Sequence, residues 1–281
     1  MEDNSIPLVR DTLDKEDIDK LIEWLSTYPH LTKGKVTVEY ERKWSEYLGC
    51  KYSLFVNSGS SANLIMLYAL IETGRIKRGD KVIVPAVSWA TDLSPVVQLG
   101  LEPVLCDCNL EDLSIDINHF KKLIKEHNPS ALILVSVLGL VPDMKTIVDL
   151  CEENNIVLLE DACESLGAEF EQKKIGNFGL MSSFSTYFGH HMSTIEGGMV
   201  CTNDKEIYNV LKSIRSHGWD RDMDAEERER LRKLHKVNEF DSLYKFYHFG
   251  FNLRSTDLQA FLGIGQLEKL DHIVQRRNEN Y

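Results

Sequence analysis

Short apolar runs alternate along the chain with longer segments whose apolar residues recur at helical spacing. The runs are residues 52–56, 81–85, 102–106, 131–137 and 156–159. Each of these runs predicts a strand, and the continuous apolar run 131–137 predicts one that is covered on both faces. Strands that alternate with helices predict crossover units and a mostly parallel sheet. We therefore expect an α/β fold in which helices sandwich the sheet.

The same pattern suggests three parts of the chain. Residues 1–35 form an N-terminal segment with a short amphipathic helix after Asp14, and residues 36–254 form the large domain. A long helix is expected within residues 255–281. The charge-dense residues 220–240 predict a solvated, partly helical stretch with no catalytic role.

Composition narrows the class of protein. The 281 residues carry a formal net charge of −12, and an acidic surface argues against nucleic acid as a partner. No apolar run approaches the roughly 20 residues of a membrane span, and the N-terminus lacks a signal-peptide core. Six cysteines without framework spacing favour a cytoplasmic location. The Cys106-x-Cys108 pair resembles the end of a strand, and no metal site is expected.

The turn at residues 57–62 has the composition of an anion-binding site. It follows a predicted strand, contains three serines and a glycine, and leads into a helix. Free backbone N–H groups, hydroxyl donors and the positive end of the helix dipole would all suit a phosphate. The alternative is that the serines only cap the helix.

Several polar or aromatic residues follow predicted strands. Ser58, Trp89 and Asp161 each lie just past the end of one. Ligands gather at the carboxyl ends of parallel strands, so we expect these side chains to converge. A serine-rich turn around Ser185 and the imidazole of His190, ahead of a Gly-Gly turn, would complete a cofactor pocket.

The ordered set of motifs resembles the DegT/DnrJ/EryC1/StrS family of sugar aminotransferases. The motifs are Asn57-Ser58-Gly59-Ser60-Ser61-Ala62, Glu160-Asp161, Phe184-Ser185, Glu196-Gly197-Gly198 and Gly250-Phe251-Asn252-Leu253-Arg254. The resemblance runs from about residue 5 to the end. It implies the fold type I (aspartate-aminotransferase) architecture, pyridoxal or pyridoxamine 5′-phosphate as cofactor, and a homodimer with shared active sites. It also implies that most of the family's small C-terminal domain is absent from this chain.

One position departs from the usual family pattern. The family normally places its Schiff-base lysine where this chain has His190, and no lysine occurs between Lys174 and Lys205. The sequence is most similar to the subgroup of sugar 3-dehydratases, which also carry histidine there. One branch of that subgroup binds an iron–sulfur cluster through cysteines beyond the Gly-Gly turn. Because only Cys201 lies beyond Gly198, no cluster is expected.

The resemblance also implies roles for individual residues in binding the cofactor. Gly59, Ser60 and Ser185 would bind its phosphate, and Asn252 would reach the phosphate bound by a neighbouring subunit. Other residues would contact the cofactor ring.

Asp161 would pair with the ring nitrogen, and Glu164 would approach the 3-hydroxyl. Trp89 would stack on the ring, although a core tryptophan is the alternative. A helix N-cap is the alternative for Asp161.

The resemblance, together with the chemistry of an imidazole, indicates elimination from a nucleotide-linked 4-keto-6-deoxy sugar. An imidazole cannot form an imine with the cofactor, yet it titrates near neutrality and can act as a base. His190 is therefore the expected catalytic residue, with glutamate as the amino donor. His217 would contact the substrate or simply end a helix, and His191 would be structural or supporting.

Two alternatives remain at this point. One is an aminotransferase of the same family in which histidine has replaced lysine. The other is a catalytically inactive homologue that acts as a sensor or scaffold. Loss of the phosphate turn or of Asp161 would favour the inactive homologue, and both are present.

Overall fold

A computed structural model describes residues 9–281, and residues 1–8 of the predicted N-terminal segment lie outside it. The helices are α1 (Lys15–Leu25), α2 (Lys35–Leu48), α3 (Gly59–Glu72), α4 (Ala90–Gln98), α5 (Ile117–His127), α6 (Met144–Glu153), α7 (Lys205–Arg215), α8 (Ala225–Leu234), α9 (Glu239–Ser242) and α10 (Asp257–Asn280). The strands are β1 (Tyr52–Val56), β2 (Lys81–Pro85), β3 (Glu102–Cys106), β4 (Ala131–Val135), β5 (Val157–Asp161), β6 (Glu169–Phe170), β7 (Lys173–Lys174), β8 (Met181–Ser185) and β9 (Gly198–Thr202).

Seven strands form one sheet in the order β1-β9-β8-β5-β4-β2-β3. The pairs from β8 to β3 are parallel, whereas β9 runs antiparallel to both β8 and β1. The predicted mostly parallel sheet is confirmed. The strands β6 and β7 form a separate two-stranded hairpin that the apolar pattern did not reveal.

Hydrophobic side chains cover both faces of the sheet. One core cluster contains Trp44 of α2 and Phe184 of β8, and the other contains Leu67 of α3 and Leu159 of β5. All four side chains are at most 1% exposed. Burial of this kind contributes about 1.5–3 kcal/mol for each large apolar side chain. The two clusters fix the sheet between its helices, so the ends of its strands are held in place.

The prediction of a serine-rich turn around Ser185 is wrong, because Met181–Ser185 is the buried strand β8. Its backbone groups are paired with β5 on one side and β9 on the other. Its serine hydroxyls find partners inside the protein: Ser182 donates to the carbonyl of Gly176 at 2.7 Å and Ser183 to the side-chain carbonyl of Asn63 at 2.5 Å. Paired polar groups can be buried at little cost, and this is why a serine-rich segment lies in the middle of the sheet.

The boundaries of several elements also differ from the predicted ones. Helix α3 begins at Gly59, directly after Ser58, whose hydroxyl accepts the N–H of Ser61 at 3.1 Å. Helix α7 ends at Arg215. The proposed division of the chain after residues 35 and 254 stays a prediction.

Candidate active site

The turn between β1 and α3 is pressed against the ends of β8 and β9. A Cβ atom on Gly59 would lie 2.8 Å from Cβ of Ser185 and 2.9 Å from Sγ of Cys163. A Cβ atom on Gly198 would overlap the backbone of Ser58. Ser60 lies exposed in the first turn of the helix. The first N–H groups of a helix have no partner within it, so this turn presents a cradle of donors beside Ser185 that suits a phosphate.

Asp161 is the last residue of β5, and its side chain is 6% exposed. Its Oδ2 atom accepts a hydrogen bond from Nδ2 of Asn63 at 2.5 Å, and its Oδ1 atom accepts from the backbone N–H of Cys163 at 2.9 Å. No helix begins at this residue, so the alternative of a helix cap is wrong. A buried carboxylate at a strand end suits a cationic ring nitrogen.

Asp92 is a site residue that the sequence did not reveal. It lies in the first turn of α4, where an acidic residue usually interacts favourably with the helix dipole from the protein surface. Here, however, the residue is only 1% exposed. Its Oδ1 atom accepts from the same Nδ2 atom of Asn63 at 3.1 Å. Burial, and then the charge of Asp161, raise the pKa of Asp92 to about 10. No sequence signal could have separated it from an ordinary helix-start aspartate.

Trp89 precedes α4 and is 73% exposed. The alternative of a core tryptophan is therefore wrong. Its backbone carbonyl accepts the N–H of Asp92 at 3.0 Å, so α4 places the indole and the buried carboxyl within one turn of each other. An exposed indole beside the strand ends is available to stack on a flat ring.

His190 lies in the loop that follows β8, and hydrogen bonds hold the loop on both sides of it. Its N–H donates to the carbonyl of Tyr187 at 3.0 Å, and its own carbonyl accepts from Nη2 of Arg277 at 2.7 Å. Burial lowers the pKa of His190, the charges of Glu164 and Asp161 oppose this, and the charge of Arg277 lowers it further. A lowered pKa leaves the imidazole neutral at pH 7, as a base requires.

Two further residues, Glu164 and His191, lie near His190. Glu164 is half-buried, and its Oε2 atom accepts the N–H of Leu138 at 3.1 Å. Burial is the main cause that lowers the pKa of His191 to about 4. Its Nδ1 atom is buried without a hydrogen-bond partner among residues 9–281. His191 is therefore a neutral ring in the interior of the loop.

His217 and Asn252 lie close together, because the chain after α7 pairs with residues 251–253. Helix α7 ends at Arg215, and His217, with φ 63°, lies just past that end, where the N–H of Gly218 donates to the carbonyl of Ser213 at 2.9 Å. This is the usual geometry of a helix C-terminus, so the alternative of a helix-ending histidine stands. Arg254 bridges the two side chains, with its Nη2 atom 3.3 Å from Nε2 of His217 and its Nε atom donating to Oδ1 of Asn252 at 3.0 Å. The N–H of Asn57 donates to the carbonyl of Leu253 at 3.0 Å, which places Asn252 and Arg254 near the turn at residues 57–62. Asn252 itself is exposed.

Residues 9–281 contain no group of three or more histidine, cysteine, aspartate and glutamate side chains that could hold a metal ion. None of the helices within the same range is long and apolar enough to cross a membrane.

The pocket therefore combines a donor cradle, a buried anion, an exposed indole and a neutral imidazole. A phosphate attached to a cationic aromatic ring matches these groups in charge and shape. Together with the sheet order, they define the class of pyridoxal-phosphate-dependent proteins with the aminotransferase fold. The chain belongs to the DegT/DnrJ/EryC1/StrS aminotransferase family, whose model matches residues 11–281.

Relatives and solved structures agree with this assignment. The GDP-4-keto-6-deoxy-D-mannose 3-dehydratase of Yersinia pseudotuberculosis is 38% identical over 278 residues, which cover 98% of this chain and 70% of the relative. The corresponding enzyme of E. coli, solved with bound hydrated pyridoxal phosphate, has a TM-score of 0.88 at 35% identity, covering 98% of this chain and 70% of that one. A GDP-4-keto-6-deoxymannose 3-dehydratase with a trapped PLP-glutamate geminal diamine has a TM-score of 0.85 at 34% identity, covering 95% of this chain and 69% of that one. The family and the fold expected from the motifs are confirmed.

Proposed function

We propose that this protein is a pyridoxamine-phosphate-dependent dehydratase that removes the 3-hydroxyl of a nucleotide-linked 4-keto-6-deoxy sugar. The observation that carries the proposal is His190. By its resemblance to the family, it occupies the position of the usual lysine, and the charges of Asp161 and Glu164 act on its ring. The similar 3-dehydratases make GDP-4-keto-6-deoxymannose the first substrate to test.

The cofactor, when bound, supplies an electron sink next to the sugar carbons. In our proposal, Asp161 holds the proton of its ring nitrogen through a buried ion pair. Trp89 covers one face of the ring, and Glu164 approaches its 3-hydroxyl. Gly59, Ser60 and Ser185 line the phosphate cradle described above.

His190 would do the acid–base work of the elimination. Its pKa is lowered by burial, so at neutral pH the ring could accept the proton that the elimination removes from the C4′ carbon of the cofactor. The resulting imidazolium can return that proton to the departing 3-hydroxyl oxygen of the sugar. A positioned acid–base group of this kind contributes about 10²–10⁴-fold to rate. Histidine cannot form the imine that lysine forms, so the cofactor stays free of a covalent tether.

The proposal also includes an amino donor and a second copy of the chain. Glutamate would restore the amino form of the cofactor. Two copies would share their active sites, with the exposed Asn252 reaching the phosphate bound by the other copy and His217 contacting the sugar nucleotide. We place the reaction in the cytoplasm and expect neither an iron–sulfur cluster nor nucleic acid to take part.

The test compares His190→Asn with the neighbouring variant His191→Asn. Each purified protein is supplied with pyridoxamine phosphate and GDP-4-keto-6-deoxymannose, and the 3-deoxy sugar and ammonia are measured. We expect His190→Asn to lose at least about 10²-fold in rate, and His191→Asn to keep most of it. Cofactor binding, followed by absorbance, should survive both substitutions.

A third variant, His190→Lys, should acquire a covalent cofactor that borohydride reduction makes permanent. An amino sugar as the product of the unmodified protein would make it an aminotransferase instead. Binding of cofactor without any turnover of the GDP-, CDP- and dTDP-linked sugars would favour a sensor or scaffold. If His190→Asn kept the full rate, the base would have to be another residue.

A further inference from the structure

We propose that Asp92 is a positioning residue that bears a proton and holds Asp161 in place for a cationic ring nitrogen. The part about the ring nitrogen rests on the proposed function. The protonation of Asp92 rests on the structure of this chain alone.

The geometry begins with Asn63, whose amide is fixed in one orientation. Its carbonyl accepts the hydroxyl of Ser183 at 2.5 Å, so its NH₂ group must point the other way. There it donates to Asp161 at 2.5 Å and to Asp92 at 3.1 Å. One amide thus ties together two carboxyl groups that are 1% and 6% exposed.

Two buried carboxylates joined in this way cannot both stay charged, because like charges at short range favour protonation of one of them. No lysine or arginine within residues 9–281 forms a salt bridge with either group. The other ionisable groups that act on the pair are the side chains of Cys163, Glu164 and His190. None is a cation at pH 7, because burial lowers the pKa of His190. The pair therefore carries one negative charge and one proton.

The unpartnered oxygen locates the proton. Oδ2 of Asp92 is buried and accepts no hydrogen bond from any residue in the described range, whereas both oxygens of Asp161 do. A buried acceptor without a partner costs about 1–3 kcal/mol. Protonation turns this oxygen into a donor, and the carboxylate of Asp161 is the neighbouring acceptor. The raised pKa of Asp92 agrees with this assignment.

Asp161 then has three donors around it: Asn63, the N–H of Cys163 and the acid group of Asp92. A carboxylate held on several sides is pre-organised for its ligand and loses little freedom when the ligand binds. Asp92 would not touch the cofactor itself. It would act through Asp161, and its neutral form would leave the whole negative charge for the ring nitrogen.

Infrared difference spectroscopy of the cofactor-free protein tests the proton directly. A protonated buried carboxyl has its own C=O band at pH 7, and Asp92→Asn should abolish it. The control is Asp149→Asn, which removes an exposed carboxyl bonded to Lys145 and should leave the band unchanged. If Asp92→Asn removes no such band, Asp92 is ionised and the proposal is wrong.

Equilibrium binding of pyridoxal phosphate tests the positioning role. Asp92→Asn keeps the shape, the neutrality and a donor, so its affinity should stay within about threefold of the unmodified protein. Asp92→Ala should bind about tenfold or more weakly, the loss that one hydrogen bond to a charged group supports. Equal affinity of both variants would overturn the positioning role, and so would an unmodified protein that does not bind the cofactor. If Asp92→Ala fails to fold, the Asn variant decides alone: a tenfold loss in it would contradict the proposal. Neither measurement uses turnover, so a wrong choice of sugar substrate would not affect the result.

Discussion

Two glycines of α10, Gly263 and Gly265, differ in how closely the neighbouring side chains approach them. Gly263 is buried against the ring of Tyr40 on α2, and Gly265 lies two residues further along the same helix. This helix also carries Arg277, which holds the backbone of His190. The position of α10 therefore matters for both the stability of the protein and the candidate site.

The two substitutions to alanine differ only in what the new methyl group meets. On Gly263 it would lie 2.5 Å from Cζ of Tyr40 and 2.8 Å from both adjacent ring carbons. On Gly265 its nearest neighbour would be Oδ1 of Asp17 at 3.4 Å, an ordinary contact. The ring of Tyr40 cannot easily move away, because it packs edge-on against Phe55 at a centroid distance of 4.9 Å.

The free energies follow from these distances. Alanine is better than glycine in a helix interior by about 0.5–1 kcal/mol, so Gly265→Ala should stabilise the protein by about that amount. Gly263→Ala receives the same gain but pays for overpacking, about 1–3 kcal/mol. Because the distance of 2.5 Å to the Tyr40 ring is far below normal contact, we expect the free-energy cost of overpacking to lie at the upper end of that range. We expect a net loss of about 2 kcal/mol for Gly263→Ala.

Urea unfolding of the cofactor-free proteins, followed by circular dichroism, measures both changes. The slope of the unfolding free energy with urea should be the same in all three proteins, which ties a shift of midpoint to stability alone. The reasoning would be refuted if Gly263→Ala were as stable as the unmodified protein. It would equally be refuted if Gly265→Ala lost as much stability as Gly263→Ala.

Two further predictions concern charge. Glu164→Gln removes a charge that raises the pKa of His190, so the imidazole should titrate at lower pH in an NMR titration of the cofactor-free protein; an upward shift would contradict the assigned cause. Glu41→Ala should lower the free energy of unfolding, measured in urea, by about 3 kcal/mol, the lower end of the range for breaking a buried ion pair. Nη1 of the fully buried Arg215 would lose Oε1 of Glu41, its acceptor at 2.6 Å, but the guanidinium would keep Asp222 at 3.6 Å. A loss below about 1 kcal/mol would show that the pair contributes little.

Most of the sheet could be predicted from sequence, because its strands are signalled locally. The run Ala131–Val135 is short and apolar at every position, which favours a strand covered on both faces, and all five residues are buried in β4. The failure at Met181–Ser185 has an equally physical cause. Serine is tolerated in a buried strand only if its hydroxyl finds a partner, and the carbonyl oxygens that receive these hydroxyls lie on other segments.

The sequence by itself determined which chemical groups the chain carries at each position. An imidazole stands at residue 190 and no amine occurs nearby in the chain, so a covalent tether is ruled out there whatever the fold. Only the tertiary structure decided which groups are buried together. It exposed Trp89, enclosed Asp92 beside Asp161, and brought Arg277 to the carbonyl of His190 across 87 positions of sequence. Burial and long-range charge set protonation states, and neither exists until the helices have closed over the sheet.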